Sequence, residues 1–282
     1  MSAGAVRAFL ARHGLAANRE LGQNFLLDDA LAARLVTLSG VEPEETVIEI
    51  GTGLGVMTRA LAARARRVVS FEIDAGLVRA LREEALLPAN VELRHEDALA
   101  VDIGALAVSL GGPVRLVGNL PYSISSPLLR RLLDARDRLR GWSVMLQREL
   151  GARLVAEPGS RDYGSLTVLH RLTVRVERVM DLRPGCFFPA PRVLSSFLRL
   201  TPREDASLDA AALAQVERVA RAAFGARRKT LANALRGGLG DDADSARIRV
   251  ALASAGLEPG VRAERVEPAR FVVLAQALAA QG

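Results

Sequence analysis

Thr46-Val47-Ile48-Glu49-Ile50-Gly51-Thr52-Gly53-Leu54-Gly55 is the stretch that decides the fold of this chain. Val47 to Ile50 is a short apolar run of strand type, three glycines follow in alternate positions, and Val56 to Ala65 carries apolar residues at helical spacing. The order is strand, glycine loop, helix. Val68-Val69-Ser70-Phe71-Glu72-Ile73-Asp74 reads as a second strand ending in acids. Such a sequence opens a nucleotide-binding βαβ unit, in which glycines let a ligand approach the backbone and a terminal acid holds ribose hydroxyls.

Spacing narrows the choice of nucleotide. A dinucleotide fingerprint places glycine at the sixth position, which is Val56 here, whereas glycines at 51, 53 and 55 give the Gly-x-Gly-x-Gly form usual for S-adenosylmethionine. Glycine loops after strands also serve as plain tight turns. The acid at Glu72 favours a ligand, with Gly51 and Gly53 beneath it.

Further along, Leu77 to Leu86 is helical and Val91 to Ala98 reads as a third strand, placing Asp97 at its carboxyl end. An acid there either accepts the amine of a cofactor adenine or caps the following segment. Val114 to Val117 is a fourth strand, continued by Gly118 and then Asn119-Leu120-Pro121-Tyr122. Proline fixes its own φ and keeps the preceding residue out of the α region, so the Asn119 side-chain oxygen and the Leu120 carbonyl are expected side by side as two acceptors. That pair suits one exocyclic NH2 group, and Tyr122 offers a ring for a base to lie on. The same tetrapeptide is also ordinary strand-to-loop punctuation. The argument for a site is convergence: Gly51, Glu72, Asp97 and Asn119 close four successive strands, and in a doubly wound sheet those ends meet at one crevice.

Ser125 to Leu133 is predicted helical and Trp142 to Gln147 a fifth strand, with Leu172 to Val179 and Ser195 to Leu200 as antiparallel additions to the sheet. Glu157 to Gly164 is a turn-rich loop. Phe187 and Phe188 precede Pro189 and Pro191, and Phe187 is either a staple on the core or a stacking face opposite Tyr122. Beyond Arg203 only alanine- and leucine-rich helical patterns remain, at Leu208 to Phe224, Lys229 to Leu235, Ala246 to Ala255 and Ala269 to Ala279. The expected fold is therefore α/β, a Rossmann-like sheet domain over 1–203 with a small all-α domain over 204–282. Arg227-Arg228-Lys229 is expected to open the second of these helices, as solvated surface or as a cluster meeting phosphates with side chains and free N–H groups.

At the other end, residues 2–13 have helical spacing and Asp28 or Asp29 is expected to cap a helix to Leu38. Asn18 to Leu26 breaks the pattern between them, as a linker or as a loop folded over a neighbouring surface. Composition excludes several classes. With Cys186 as its one cysteine and three scattered histidines, the chain of 282 residues assembles no disulfide framework or Cys/His zinc site, and metal catalysis is not expected. No run approaches the roughly 20 apolar residues that span a bilayer, which suggests a cytoplasmic protein. The net charge of +6 permits an anionic partner without requiring one.

Taken together these motifs resemble the bacterial small-subunit ribosomal RNA adenine dimethyltransferase family over nearly the whole chain. The matching pieces are Leu-Gly-Gln-Asn-Phe-Leu at 21–26, Glu-Ile-Gly-Thr-Gly-Leu-Gly at 49–55, Phe-Glu-Ile-Asp at 71–74, Glu-Asp-Ala at 96–98, Gly-Asn-Leu-Pro-Tyr-Ser-Ile-Ser at 118–125, Met-Leu-Gln-Arg-Glu at 145–149, Tyr-Gly-Ser-Leu at 163–166, Phe-Phe-Pro-Ala-Pro-Arg-Val at 187–193 and Phe-Gly-Ala-Arg-Arg-Lys-Thr-Leu at 224–231. Their order and spacing carry the likeness. Glu20, where a basic residue is common, Ala190 in place of a proline and Leu194 in place of a frequent acid depart from the pattern.

The resemblance implies S-adenosylmethionine as cofactor, contacted by Asn24, Leu26, Gly51, Gly53, Glu72, Asp97 and Asn119, and a methyl-transfer site formed by Asn119, Leu120, Tyr122 and Phe187. It implies transfer of two methyl groups to N6 of each of two adjacent adenines near the 3′ end of the small-subunit (16S) RNA, in the immature 30S particle; composition adds the expectation of no metal and no membrane, and, since nothing suggests an obligate dimer, a monomer is expected. It assigns Arg227, Arg228 and Lys229 to RNA. Two other readings share the motifs: a DNA adenine or large-subunit RNA enzyme using the same pocket, and a noncatalytic RNA-binding assembly factor that retains the fold.

Overall fold

A computed structural model describes residues 1–206, 208–240 and 244–280. The predicted glycine-loop unit is present. Strands β2 (Thr46–Ile50), β3 (Arg67–Glu72), β4 (Val91–His95), β5 (Val114–Asn119) and β6 (Leu139–Gln147) run parallel, and β9 (Ser195–Pro202) lies antiparallel to β6. With β7 (Val174–Leu182) at the edge, the order across this seven-stranded sheet is β4-β3-β2-β5-β6-β9-β7. Two further strands, β1 (Phe25–Leu26) and β8 (Phe187–Phe188), form a separate antiparallel pair, Phe25 opposite Phe188 and Leu26 opposite Phe187.

The chain builds outward on one side of β2 through β3 and β4, then returns to the other side with β5 and β6. The point of reversal therefore lies between the carboxyl ends of β2 and β5, where open α/β sheets place their ligands. Register there is tight, with Ile50 opposite Gly118. A Cβ at Gly118 would stand 2.9 Å from the Ile50 carbonyl oxygen and 2.8 Å from Leu120 Cδ2, so only glycine admits the approach.

Strand β2 is buried along its whole length, and β3, β5 and β6 along most of theirs, which explains why they read as continuous apolar runs rather than as alternating ones. Helix α1 (Ala3–Arg12) buries Val6, Phe9 and Leu10 in one cluster with Phe25, Leu54 and Leu77. Helix α2 (Asp29–Leu38) is capped by Asp28, whose Oδ1 accepts from the Ala30 and Leu31 N–H groups. Helices α3 (Val56–Ala62), α4 (Ala75–Glu83), α5 (Ile103–Ser109) and α6 (Ser125–Asp134) follow β2 to β5 in turn, and α7 (Arg148–Val155) follows β6.

Two compact units divide the chain. The first comprises 1–151 and 177–202, the second 152–176 and 203–282. The expected boundary near Arg203 is one of the three actual crossings; residues 152–176, placed with the sheet from sequence, fall in the helical unit. The reason is local to that unit. Tyr163 is fully buried, its hydroxyl donates to the Val266 carbonyl at 2.7 Å, and its ring meets Phe224 edge-on at 5.6 Å. Helix α8 (Ser165–Thr173) there packs with α9 (Ala210–Phe224) and α12 (Pro268–Ala279), and α10 (Leu231–Leu239) and α11 (Ser245–Ser254) complete the unit. Leu172 and Thr173, expected in a strand, end α8 instead, and the Thr173 hydroxyl donates to the Leu169 carbonyl one turn back at 2.7 Å.

Candidate active site

A cavity of about 290 Å³ opens at the carboxyl edge of the parallel strands, within the sheet unit. Gly51, Gly53, Glu72, Asp97, Asn119, Leu120, Tyr122, Phe187, Asn24 and Leu26 all line it. The structure thus brings together every site residue expected from the sequence except the basic triplet, which belongs to the helical unit.

The floor is glycine because the backbone demands it. Gly51 has φ +85°, and a Cβ there would stand 3.2 Å from the Asn119 carbonyl oxygen. Gly53 turns its N–H to Glu72 Oε2 at 2.8 Å, while Glu72 Oε1 accepts from the Asp74 N–H at 3.0 Å. Burial pushes the Glu72 carboxyl above its ordinary range, and these two N–H donors draw it back. A carboxylate held from behind by two amides is oriented before any ligand arrives.

Asp97 stands two residues beyond the end of β4, which stops at His95 rather than at Ala98. Its Oδ1 accepts from the Leu99 N–H at 2.8 Å, the capping role, and the residue also lines the cavity. Phe187 is 3% exposed, belongs to the apolar core of the sheet unit, as its reading as a staple expected, and forms part of the cavity wall.

Asn119 ends β5. Its Nδ2 donates to the Asn24 carbonyl at 3.0 Å, which fixes the amide and leaves Oδ1 as the acceptor. Leu120 buries its side chain and donates its N–H to the Met145 carbonyl at 3.3 Å; among the described residues its own carbonyl accepts no hydrogen bond. Tyr122 follows in the turn before α6. The chain therefore presents an oriented amide oxygen, an uncommitted main-chain oxygen and an aromatic ring in succession.

Residues 20–26 are no linker, since all seven line the cavity. Sequence reading of the family motif named Asn24 and Leu26 but missed how the strap is held. Gln23 carries it: its Nε2 donates to Asp74 Oδ2 at 2.7 Å and its Oε1 accepts from the Asn18 N–H at 2.7 Å. A polar residue between Gly22 and the apolar pair Phe25-Leu26 was the available signal.

A buried acid beneath the loop also went unread. Glu49 is fully buried in β2, its Oε2 accepts from Ser70 Oγ at 2.5 Å, and Ser70 shares a 2.6 Å contact with Thr52 Oγ1. Burial pushes its carboxyl up to about 7 against the Ser70 and Thr58 hydroxyls. Its pKa is higher folded than unfolded, so the stabilising difference is complete below about 4.5 and is lost as pH rises to about 7. Glu49→Gln should remove that dependence: the fall in stability of the parent protein between pH 5 and 8, about 3 kcal/mol by linkage, should be absent from the variant in thermal melts. Parallel pH profiles for the two proteins would show that Glu49 ionises normally.

In the helical unit, Arg227, Arg228 and Lys229 are exposed and occupy a turn rather than the first turn of α10, which begins at Leu231 after Thr230. The expected free N–H groups are present in part: among the described residues those of Arg227, Arg228 and Thr230 have no acceptor, and α10 has no side-chain cap. The Leu231 N–H, by contrast, donates to the Val261 carbonyl at 2.7 Å and the Lys229 N–H to the Ala226 carbonyl at 2.8 Å.

The cradle fits S-adenosylmethionine on its own chemistry. Gly51 and Gly53 let the backbone approach a ligand, Glu72 presents an oriented carboxylate suited to ribose hydroxyls, and the 45% exposed Ile73 beside it gives an apolar contact. The comparisons agree in kind. Residues 14–278 match the family model described as ribosomal RNA adenine dimethylase. The ribosomal RNA small subunit methyltransferase A of Aromatoleum aromaticum is 42% identical over 265 residues, covering 94% of this chain and 95% of that protein. Among solved structures, the 23S rRNA methyltransferase ErmE is 30% identical with a TM-score of 0.65 over 91% of this chain and all of its own. A dimethyladenosine transferase from Plasmodium falciparum, 22% identical, shares the fold with a TM-score of 0.73 over 89% of this chain and 95% of its own. With the glycine cradle, the oriented acid and the Asn119 to Tyr122 acceptor set already in place, a match over nearly the full length leaves one assignment: the chain belongs to the ribosomal RNA adenine dimethylase family.

Proposed function

We propose that this protein dimethylates N6 of two adjacent adenosines near the 3′ end of small-subunit ribosomal RNA during maturation of the small subunit, in the cytoplasm. The observation that carries the chemistry is the Asn119 amide, whose nitrogen is committed to the Asn24 carbonyl so that its oxygen is left for a substrate. When bound, S-adenosylmethionine supplies an activated methyl group as a sulfonium. Glu72 holds its ribose hydroxyls, Asp97 its adenine amine, and Gly51 and Gly53 admit it to the backbone, with Asn24 and Leu26 covering it from the strap.

An exocyclic adenine nitrogen is a poor nucleophile because its lone pair is delocalised into the ring. Asn119 Oδ1 and the Leu120 carbonyl each accept one of its hydrogens and favour the pyramidal geometry that frees the pair. Alignment of this kind contributes up to roughly 7–11 kcal/mol in well-oriented intramolecular models, and no general base is required because the nitrogen, cationic once methylated, sheds a proton to water. The adenine leaves its stack to enter, and stacking on Tyr122 and Phe187, about 1–3 kcal/mol per base, offsets that cost. The helical domain serves RNA binding through Arg227, Arg228 and Lys229.

The relatives named above include enzymes of both ribosomal subunits, so substrate choice is the point to test. Incubation with labelled cofactor and a panel of immature small subunits, large subunits, free RNA and DNA should place label on adenines of the small-subunit particle. Label confined to large subunits or DNA would reassign the substrate, and no label on any member would leave a noncatalytic binder.

A further inference from the structure

Tyr122 lies in a turn, held by its backbone at one end only: the Pro121 carbonyl accepts from the Ile124 N–H at 3.1 Å and from Ser125 Oγ at 3.0 Å. Its ring is partly exposed at the cavity. Two rotatable side-chain bonds separate the ring from that backbone, so nothing in the turn itself fixes the ring plane. The far end of the ring is fixed instead. The phenol oxygen is 3.2 Å from Ser195 Oγ.

Ser195 opens β9 where that strand pairs with β6. It is opposite Gln147 in the β6–β9 pairing, the Leu194 carbonyl beside it accepts from the Arg148 N–H at 2.9 Å, and it is 1% exposed. Among the described residues its hydroxyl has no partner other than Tyr122. A buried hydroxyl needs a partner, and this one has been given the ring that faces the substrate. It does not line the cavity and touches no reacting atom.

We propose that Ser195 is a positioning residue for methyl transfer: its hydroxyl anchors the Tyr122 phenol and so holds the ring as a fixed wall for the acceptor base. This rests on the reading of Tyr122 as the stacking ring. The anchor acts on the base and not on the cofactor, whose contacts lie on the strap and at the ends of β2, β3 and β4. Removing it lets the ring swing, and the base then loses a preorganised surface; ordering one such side chain corresponds to about a 3- to 10-fold effect.

The test uses the full chain as Ser195→Ala, Tyr122→Phe, the double variant and Tyr122→Ala, with small-subunit particles as substrate and calorimetry for S-adenosylmethionine. Each of the first two should lower kcat by about 3- to 10-fold with cofactor affinity unchanged, and the double variant should be no slower than either alone. Tyr122→Phe orphans a buried hydroxyl and should melt lower than Ser195→Ala, whose phenol is still reached by water. Multiplying effects in the double variant, a fall in cofactor affinity for Ser195→Ala, or unchanged turnover for Ser195→Ala would each overturn the anchor. Tyr122→Ala separates the two failures: a slow Tyr122→Ala beside a normal Ser195→Ala retains the stacking ring and removes only its anchor, whereas a normal Tyr122→Ala removes both.

Discussion

Asn119→Ala is expected to lower methyl transfer by about 10²–10³-fold, the scale on which one preorganised hydrogen-bonding group acts at a reacting centre, while S-adenosylmethionine binding stays measurable. The effect is large because the residue has two duties. In the proposed mechanism its Oδ1 is the acceptor for the substrate amine, and its Nδ2 ties the strap through the Asn24 carbonyl. Alanine abolishes both, whereas the carboxylate at Glu72, with its two N–H donors, is untouched and still receives the cofactor. Asn119→Asp separates the duties. A carboxylate retains acceptor oxygens but turns a lone pair toward the Asn24 carbonyl where the amide had donated, so the strap should loosen and cofactor affinity should fall further than in Asn119→Ala. Single-turnover rates at saturating cofactor report the first duty and calorimetric affinities the second. Wild-type single-turnover rates in Asn119→Ala would remove this residue from the chemistry.

The residues that made this legible from sequence are those whose spacing encodes a strand end. Gly51, Glu72 and Asn119 follow or close short apolar runs, and a parallel sheet buried on both faces leaves few other readings for such runs. Asp97 and its neighbours show the limit, because β4 ends at His95 and the acid is delivered by the turn beyond it. What could not be read is whatever depends on distant pairing. Residues 152–173 precede β7 in the chain and so look like part of the sheet domain, yet Tyr163 finds its hydrogen-bond partner 103 residues away at Val266. The strap is the same case. Its polarity suggests a linker, and the Gln23 to Asp74 and Asn24 to Asn119 hydrogen bonds, with the pairing of Phe25 and Leu26 to Phe188 and Phe187, make it a wall. Leu172 and Thr173 failed for a local reason, since a β-branched residue at a helix end satisfies its hydroxyl one turn back and needs no strand.

Replacing Arg227, Arg228 and Lys229 together by glutamine is expected to weaken binding to small-subunit RNA and to make the dependence of log K on log salt shallower by roughly two to three, since each neutralised phosphate contributes about 0.7 to 0.9 to that slope. Structure narrows how the triplet acts. The Leu231 and Lys229 N–H groups are taken by the Val261 and Ala226 carbonyls, while among the described residues those of Arg227, Arg228 and Thr230 have no acceptor and can meet a phosphate beside the side-chain charges. Arg227 is the most constrained of the three, with its Nη2 donating to the Arg161 carbonyl at 2.7 Å, a neutral partner that leaves the guanidinium charge uncompensated. Because the lost term is counterion release, the gap between parent and variant should be widest in dilute salt and close as salt rises; a loss of affinity that is the same at every salt concentration would mean that the substitutions damaged shape or packing, and an unaltered slope would take the triplet off the RNA altogether.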